Sequence, residues 1–167
     1  RDGLGWTIAA MHIEQDPAAA NKAILEDLEG GVNAIVLQAG GIGLPPTKEA
    51  FGAALKGVML DACPIALVAG DRFADAANAL MAVWDEQKIA AAERCGSFGA
   101  DPLGTLALQG FLAEPLETEM GRAVALTRTA LKFPRIAALT ADGVGYHVAG
   151  ASEAQELACM LATLVAY

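Results

Sequence analysis

The sequence is poor in the features that mark secreted, disulfide-bonded or membrane-spanning proteins. Its three cysteines, Cys63, Cys95 and Cys159, are an odd number and form no C-x-x-C pair, which favours reduced thiols in a cytoplasmic protein over a disulfide framework or a zinc site. No apolar run reaches the roughly 18 residues that cross a bilayer. The opening "RDGLGW" has neither a signal-peptide pattern nor an initiator Met, so we expect that an upstream segment has been removed or left unobserved.

Positive charge is also scarce. Eleven Lys and Arg residues stand against 20 Asp and Glu residues, which gives a net charge of −9. Nucleic acid and anionic membranes would be repelled by such a chain. Neither is therefore expected as a partner.

Apolar residues and glycines are abundant instead. Hydrophobic residues make up 54% of the 167 positions, and there are 18 glycines. A chain of this length and composition buries about two-thirds of its unfolded surface and forms one domain. We therefore expect a single globular domain over residues 1–167.

Short apolar segments alternate with helical patterns along the chain. Strands are predicted at 5–13, 34–39, 64–70, 95–104 and 135–141, the fourth passing into a loop or short helix. Helices are predicted at about 17–29, 47–56, 73–88, 116–131 and 152–165. Asp16 with Pro17 marks the first helix start, Thr47 caps the second, and Ser152 with Gln155 forms a capping box for the last.

Apolar spacing predicts the buried helix faces and the architecture. The expected stripes are Ala20, Ile24 and Leu28; Phe73, Ala77, Leu80, Met81 and Trp84; and Leu116, Met120, Val124 and Leu131. Five βα units imply an α/β fold with parallel strands and right-handed crossovers. Two architectures fit: an open doubly wound sheet, or part of a TIM-type (β/α)₈ barrel, which here would be incomplete.

Candidate functional residues lie after the strands, where both architectures place their sites. The polar stretch 140–151, expected to be a loop, holds Tyr146 and His147, and His147 is the best single candidate because an imidazole can donate to a carbonyl. His12 is expected to face solvent. Asp101, before Pro102, is either a catalytic carboxylate or part of a turn.

Two glycine-rich motifs have features of phosphate sites. "GVGYHVAG" (143–150) lacks the third glycine of a dinucleotide fingerprint, because residue 148 is valine. "GGIG" (40–43) follows a strand, and its amides could cradle an anion. An unrelated α/β domain that binds a small anion thus remains an alternative function.

The order of the segments resembles the substrate-binding barrel of the methylmalonyl-CoA mutase family. The resemblance covers essentially the whole chain and is carried by "GWTI", "DPAAANKAILEDLEGGV", "GVMLDACPIALVAG", "GADPLG" and above all "GYHVAGASEAQELACMLATLVAY". It implies an adenosylcobalamin-dependent isomerase of methylmalonyl-CoA and succinyl-CoA. In that family the residue matching His147 hydrogen-bonds the thioester carbonyl, and the one matching Tyr146 lies beside corrin and substrate.

Departures from the family pattern point to a non-catalytic member. Where catalytic members carry Arg and Tyr in T-I-R-x-Y-A-G, this chain has Ala9 and Met11, which can neither pair with phosphate nor hydrogen-bond substrate. The cobalamin-ligating D-x-H-x-x-G pattern, which belongs to a separate domain in the family, is absent. The segments "AAAN" and "GADPLG" are more similar to the sequence of the family's small subunit.

The resemblance therefore implies a divergent small subunit that binds no cobalamin by itself and associates with a catalytic mutase subunit or with itself. A second hypothesis makes the chain the substrate half of an active mutase, with His147 binding acyl-CoA. In either case, we expect the strands at 5–13 and 135–141 to form edges that further structure covers.

Overall fold

The computed structural model of the chain describes residues 6–167 and contains one sheet of five parallel strands. The strands are β1 (Ala9–His12), β2 (Ala34–Gln38), β3 (Ile65–Val68), β4 (Cys95–Ala100) and β5 (Arg135–Leu139). All five predicted strands are present, each shorter than expected. Residue 5, where the first was predicted to begin, lies outside the described residues.

Seven α-helices lie between the strands or after β5 in the described part of the chain. They are α1 (Pro17–Glu29), α2 (Lys48–Ala54), α3 (Phe73–Glu86), α4 (Pro102–Gln109), α5 (Leu116–Ala130), α6 (Val144–Val148) and α7 (Glu153–Ala166). The predicted caps at Asp16 and Thr47 and the Ser152–Gln155 capping box are all formed. The stretch 140–151 is not entirely loop, because α6 occupies its centre.

The strand order distinguishes between the two predicted architectures. The order is β1-β2-β3-β4-β5, without reversal, and every neighbouring pair is parallel. A doubly wound sheet reverses its order at a switch point, whereas a barrel does not. The fold is therefore part of a TIM-type barrel, with β1 and β5 as its two edges.

The core lies between the sheet and the helix layer. Ile35, Leu37, Ile65 and Leu67 alternate with more exposed residues along β2 and β3, and each is at most 3% exposed. Most of the apolar residues predicted for α1 and α3 are buried, including Trp84, which is fully buried. Leu28 and Met81, also in the predicted stripes, are only partly buried. One face of each strand therefore packs on helices, as in the outer layer of a barrel.

The opposite face of the sheet carries a row of smaller residues. Strand register aligns Met11, Val36, Ala66, Ser97 and Ala137 across all five strands. None of the five is buried, and Met11 is 59% exposed. In a closed barrel this face would be the interior.

Two glycines of β4 allow close contact with β3. Gly99 has a φ of 63°, and a Cβ there would lie 2.0 Å from the Leu67 carbonyl oxygen. At Gly96, with a φ of 137°, a Cβ would lie 1.8 Å from the Ile65 oxygen. Larger residues cannot occupy either position without moving the strand.

The buried face of α5 differs from the predicted stripe. Leu116, Val124 and Leu131 are substantially exposed, whereas the helix buries Glu119, Ala123, Leu126 and Ala130. Both sets have helical spacing, so periodicity alone did not distinguish them. The small alanines face the core, and the Glu119 carboxylate is paired with Arg122 at 2.9 Å.

Exposed apolar side chains occur on α7 and beside β1, as well as at positions between them. On α7, Leu157, Leu161 and Leu164 form a stripe that is 52–61% exposed, and only Thr163 of that helix is buried. Trp6 and Ile8, beside edge strand β1, are 90% and 56% exposed. Within residues 6–167, no helix has the length and apolar character needed to cross a membrane.

Candidate functional site

A cavity of about 210 Å³ opens at the carboxyl ends of β2–β5. Its polar lining comes from Gln38, Asp101, Thr105, Gln109, Thr140 and Asp142. No Lys, Arg or His residue within 6–167 contributes to this lining. The cavity is smaller than the roughly 300–1,000 Å³ typical of ligand pockets, and its only ionisable side chains are acidic.

Asp101 connects three segments at this end of the sheet. It is 7% exposed, and its Oδ1 accepts a 2.8 Å hydrogen bond from the Gly104 N–H, which caps α4. Oδ2 accepts from the Asp142 N–H at 2.9 Å, and the Tyr167 hydroxyl donates to Oδ1. Asp101 is therefore the N-cap of α4, and its carboxylate also joins the β5–α6 loop to the end of α7.

Tyr167 completes this network from the far end of the chain. Its hydroxyl oxygen accepts a 3.0 Å hydrogen bond from the Leu103 N–H. Burial, together with the neighbouring Asp101 carboxylate, raises the pKa of Tyr167 well above its ordinary value. Its contact with Asp101 gave no signal in the sequence, because 66 residues separate the two.

Tyr146 and His147 lie on α6, at the same end of the sheet as Asp101. The Asp142–Asp101 hydrogen bond fixes the loop from which α6 begins, and Gly145 of α6 lines the cavity. Tyr146 and His147 themselves are not among its lining residues. The structure therefore brings the predicted pair close to the cavity but not into it.

His147 has a partner that sequence reasoning missed. Its Nδ1 lies 3.0 Å from Oε2 of Glu156 on α7, and the side chains are 73% and 27% exposed respectively. Gly143 leaves room for this contact, because a Cβ there would lie 2.7 Å from Glu156 Oε1. A spacing of nine residues across two helices is no recognisable motif.

His12 does not face solvent, and that expectation was wrong. The residue is only 3% exposed, at the end of β1, with Nδ1 3.9 Å from Glu14 Oε2 and Nε2 3.6 Å from Asp27 Oδ2. Its position in the strand decides its burial, because it shares the register row of core residue Leu37 and points to the helix layer.

The glycine-rich segment 40–43 uses its amides internally. The Gly40 N–H donates to the Leu44 carbonyl at 2.8 Å, and the Gly43 N–H donates to the Gly40 carbonyl at 2.9 Å. An anion cradle needs free amides pointing into one concavity. The segment therefore offers fewer donors than the anion-binding alternative requires.

The family profile and the curated relatives that match this chain all name methylmalonyl-CoA mutase. The profile of the methylmalonyl-CoA mutase family matches residues 40–167. The chain is 41% identical over 164 residues to the methylmalonyl-CoA mutase small subunit of Streptomyces virginiae, and 34% identical over 163 residues to that of Propionibacterium freudenreichii subsp. shermanii. These alignments cover 98% and 97% of the chain, but 26% and 24% of the relatives. The chain thus spans about a quarter of the length of the curated relatives it matches.

Proposed function

The chain belongs to the methylmalonyl-CoA mutase family, and from this premise we propose that it is a barrel segment of a mutase small subunit. Its role is to bury an interface against a catalytic subunit, and it does not itself isomerise methylmalonyl-CoA. The similarity to two small subunits over nearly the whole chain supports this assignment. In this proposal, the small subunit and one catalytic mutase subunit form a heterodimer.

The charge of the cavity is the observation that carries the non-catalytic assignment. Methylmalonyl-CoA is anionic at its acyl carboxylate and at its phosphates. The cavity at the carboxyl ends of the strands presents Asp101 and Asp142, without a cation from residues 6–167. Such a lining opposes the binding of an anionic substrate. Ala9 and Met11 on β1 supply no compensating donor.

Tyr146 and His147 are, in this proposal, vestigial substrate-contact positions. They occupy the matching place in the sequence, at the carboxyl end of the sheet. However, they lie outside the cavity lining, and Glu156 already engages one nitrogen of His147. The pair is also the observation that favours the second function, an active substrate half that binds acyl-CoA through His147.

The described residues do not fit adenosylcobalamin, the cofactor that the family implies. The cavity is small for a corrinoid and has no imidazole in its lining. Within residues 6–167, no group of three His, Cys, Asp or Glu side chains is placed to hold a metal ion. We propose that any cobalamin of the assembled enzyme is held outside this chain.

A cytoplasmic location is part of the same proposal. Cys63, Cys95 and Cys159 are all free thiols, as expected in a reducing compartment. Burial raises the pKa of the Cys63 thiol, which disfavours its reactive thiolate form.

The test is an activity and assembly measurement on the full-length protein. Alone, with adenosylcobalamin and methylmalonyl-CoA, it should form no succinyl-CoA. Mixed with a catalytic mutase subunit, it should co-elute at equal stoichiometry and lengthen the active lifetime of that subunit on heating. Turnover by the protein alone would support the active-half function instead, and failure to bind the catalytic subunit would contradict the supporting role.

A further inference from the structure

The contact between Glu156 and His147 determines which hydrogen bonds the imidazole can make. An ionised carboxylate is only an acceptor. At a separation of 3.0 Å between Nδ1 and Oε2, the proton must therefore reside on Nδ1. In a neutral imidazole this leaves Nε2 without a proton.

Several features of the structure hold Glu156 in this position. It lies in the first turns of α7, whose start is fixed by the Ser152–Gln155 capping box. Glu156 and Met160 both pack against the backbone of Gly143, where an added Cβ would lie 2.7 Å from Glu156 Oε1 and from Met160 Sδ. The carboxylate is 27% exposed, whereas the imidazole is 73% exposed. Glu156 is thus the better fixed member of the pair.

We propose that Glu156 is a specificity-determining positioning residue that makes Nε2 of neutral His147 a hydrogen-bond acceptor towards a ligand or partner. A thioester carbonyl needs a donor, and neutral His147 held in this tautomer offers none at Nε2. Nε2 of neutral His147 can instead accept a hydrogen bond from an N–H or O–H group, such as an amide, an ammonium or a hydroxyl.

The inference rests on the proposed function, because it gives a physical reason why His147 does not contact an acyl-CoA carbonyl. The charged groups near α6 agree with it. Asp142 precedes the helix, Asp101 holds its loop, and Glu156 faces it from α7. The segments 101–121 and 136–167 contain no Lys or Arg, so the sequence around this site favours donors and cations over anions.

The test is the tautomer of His147, read from ¹⁵N chemical shifts of histidine-labelled full-length protein at about pH 8.5, where imidazole is neutral in water. His147→Gln identifies the signals of this residue by their loss. The wild type should show the Nδ1–H tautomer. In Glu156→Gln, whose amide can both donate and accept, that preference should be lost. Glu153→Gln removes the same charge from an exposed position on the same helix and should leave the tautomer unchanged.

Addition of methylmalonyl-CoA separates the two proposals. An Nε2–H tautomer in the wild type, or no difference between Glu156→Gln and Glu153→Gln, would overturn the role of Glu156 and leave the supporting function intact. A saturable shift of the His147 signals by methylmalonyl-CoA, with the Nδ1–H tautomer retained, would instead contradict the proposed function. If the wild type shows the Nδ1–H tautomer and methylmalonyl-CoA causes no such shift, the result supports both the role of Glu156 and the proposed function.

Discussion

Residues 9–86 and residues 95–166 contribute to one sheet, but they build its helix-side core in different ways. Twelve large apolar side chains within the described residues are fully buried, and eleven of them belong to 9–86. Phe98 is the exception from 95–166. The first region therefore fills its own core, whereas the second supplies little bulk.

The second region is fixed largely by polar contacts. Asp101 joins β4, the loop before α6 and the end of α7, and Glu156 joins α7 to His147. Eleven of its large apolar side chains, including Phe111 and Leu161, are exposed. Polar contacts give direction and register, but little of the free energy that apolar burial gives.

This contrast indicates that the second region is organised for packing that the described residues do not provide. The proposed catalytic subunit or additional barrel strands would cover its apolar side chains. Substitutions that compare the two regions test this interpretation.

The largest difference is expected between two phenylalanines. Phe51→Ala, at a fully buried position of α2, should lower the free energy of unfolding by about 3–5 kcal/mol because it leaves a cavity. Phe111→Ala, at a position 66% exposed, should change it by less than about 0.5 kcal/mol. Urea unfolding of the chain measures both. Equal losses would show that the second region has a core of its own.

A pair of glycines gives effects of opposite sign. Gly99→Ala should destabilise by about 3 kcal/mol, because its positive φ and the contact with the Leu67 carbonyl leave no room for a Cβ. Gly121→Ala, in the middle of α5 with nothing within 4 Å of the added Cβ, should stabilise by about 0.5–1 kcal/mol. Thermal unfolding measures both changes in stability. If Gly99→Ala does not destabilise the chain, β4 does not approach the Leu67 carbonyl as closely as described.

Tyr167 should make the stability of the second region depend on alkaline pH. Because its folded pKa is raised, its contribution is present below the ordinary tyrosine value of about 10 and is lost as the pH rises through the folded value. Tyr167→Phe should cost about 1 kcal/mol near neutral pH and flatten this alkaline loss. Urea unfolding at about pH 8 and at higher pH measures it. Tyr146→Phe is the control, because it should leave the alkaline pH dependence of the free energy of unfolding unchanged. If Tyr167→Phe also left that pH dependence unchanged, the alkaline loss would not come from Tyr167.

The smallest effect is expected on α7. Leu161→Ala, at a 52% exposed position, should change the stability of the 167-residue chain by less than about 0.5 kcal/mol. In the assembled full-length protein the same change should cost about 2 kcal/mol if the stripe is covered there. Equal, small effects in both would show that nothing packs on α7.

The sequence allowed most of the fold to be predicted where local signals were strong. Asp16, Pro17 and Gly30 bracket α1, and its bounds agree with the structure. Strand order could not be read from spacing, since both an open sheet and a barrel use βα units. The α5 face was missed because Glu119 occupies a core position, which a search for apolar stripes excludes.

The candidate site was less predictable than the fold. The positions of Tyr146, His147 and Asp101 after strands followed from topology, but their partners did not. Tyr167 and Glu156 reach them through tertiary packing across separate helices, and no local spacing encodes such contacts. His12 was misjudged because one residue of register decides whether a strand side chain faces the helices or the opposite side.

The row Met11, Val36, Ala66, Ser97 and Ala137 has a geometric consequence. Side-chain volume falls from methionine at one edge of the sheet to alanine and serine over β3–β5. A barrel closed on these strands would therefore have an eccentric lumen, plugged beside β1 and widest beside β3–β5. Any passage along its axis would run off-centre, close to the strands that end at Asp101 and the α6 loop.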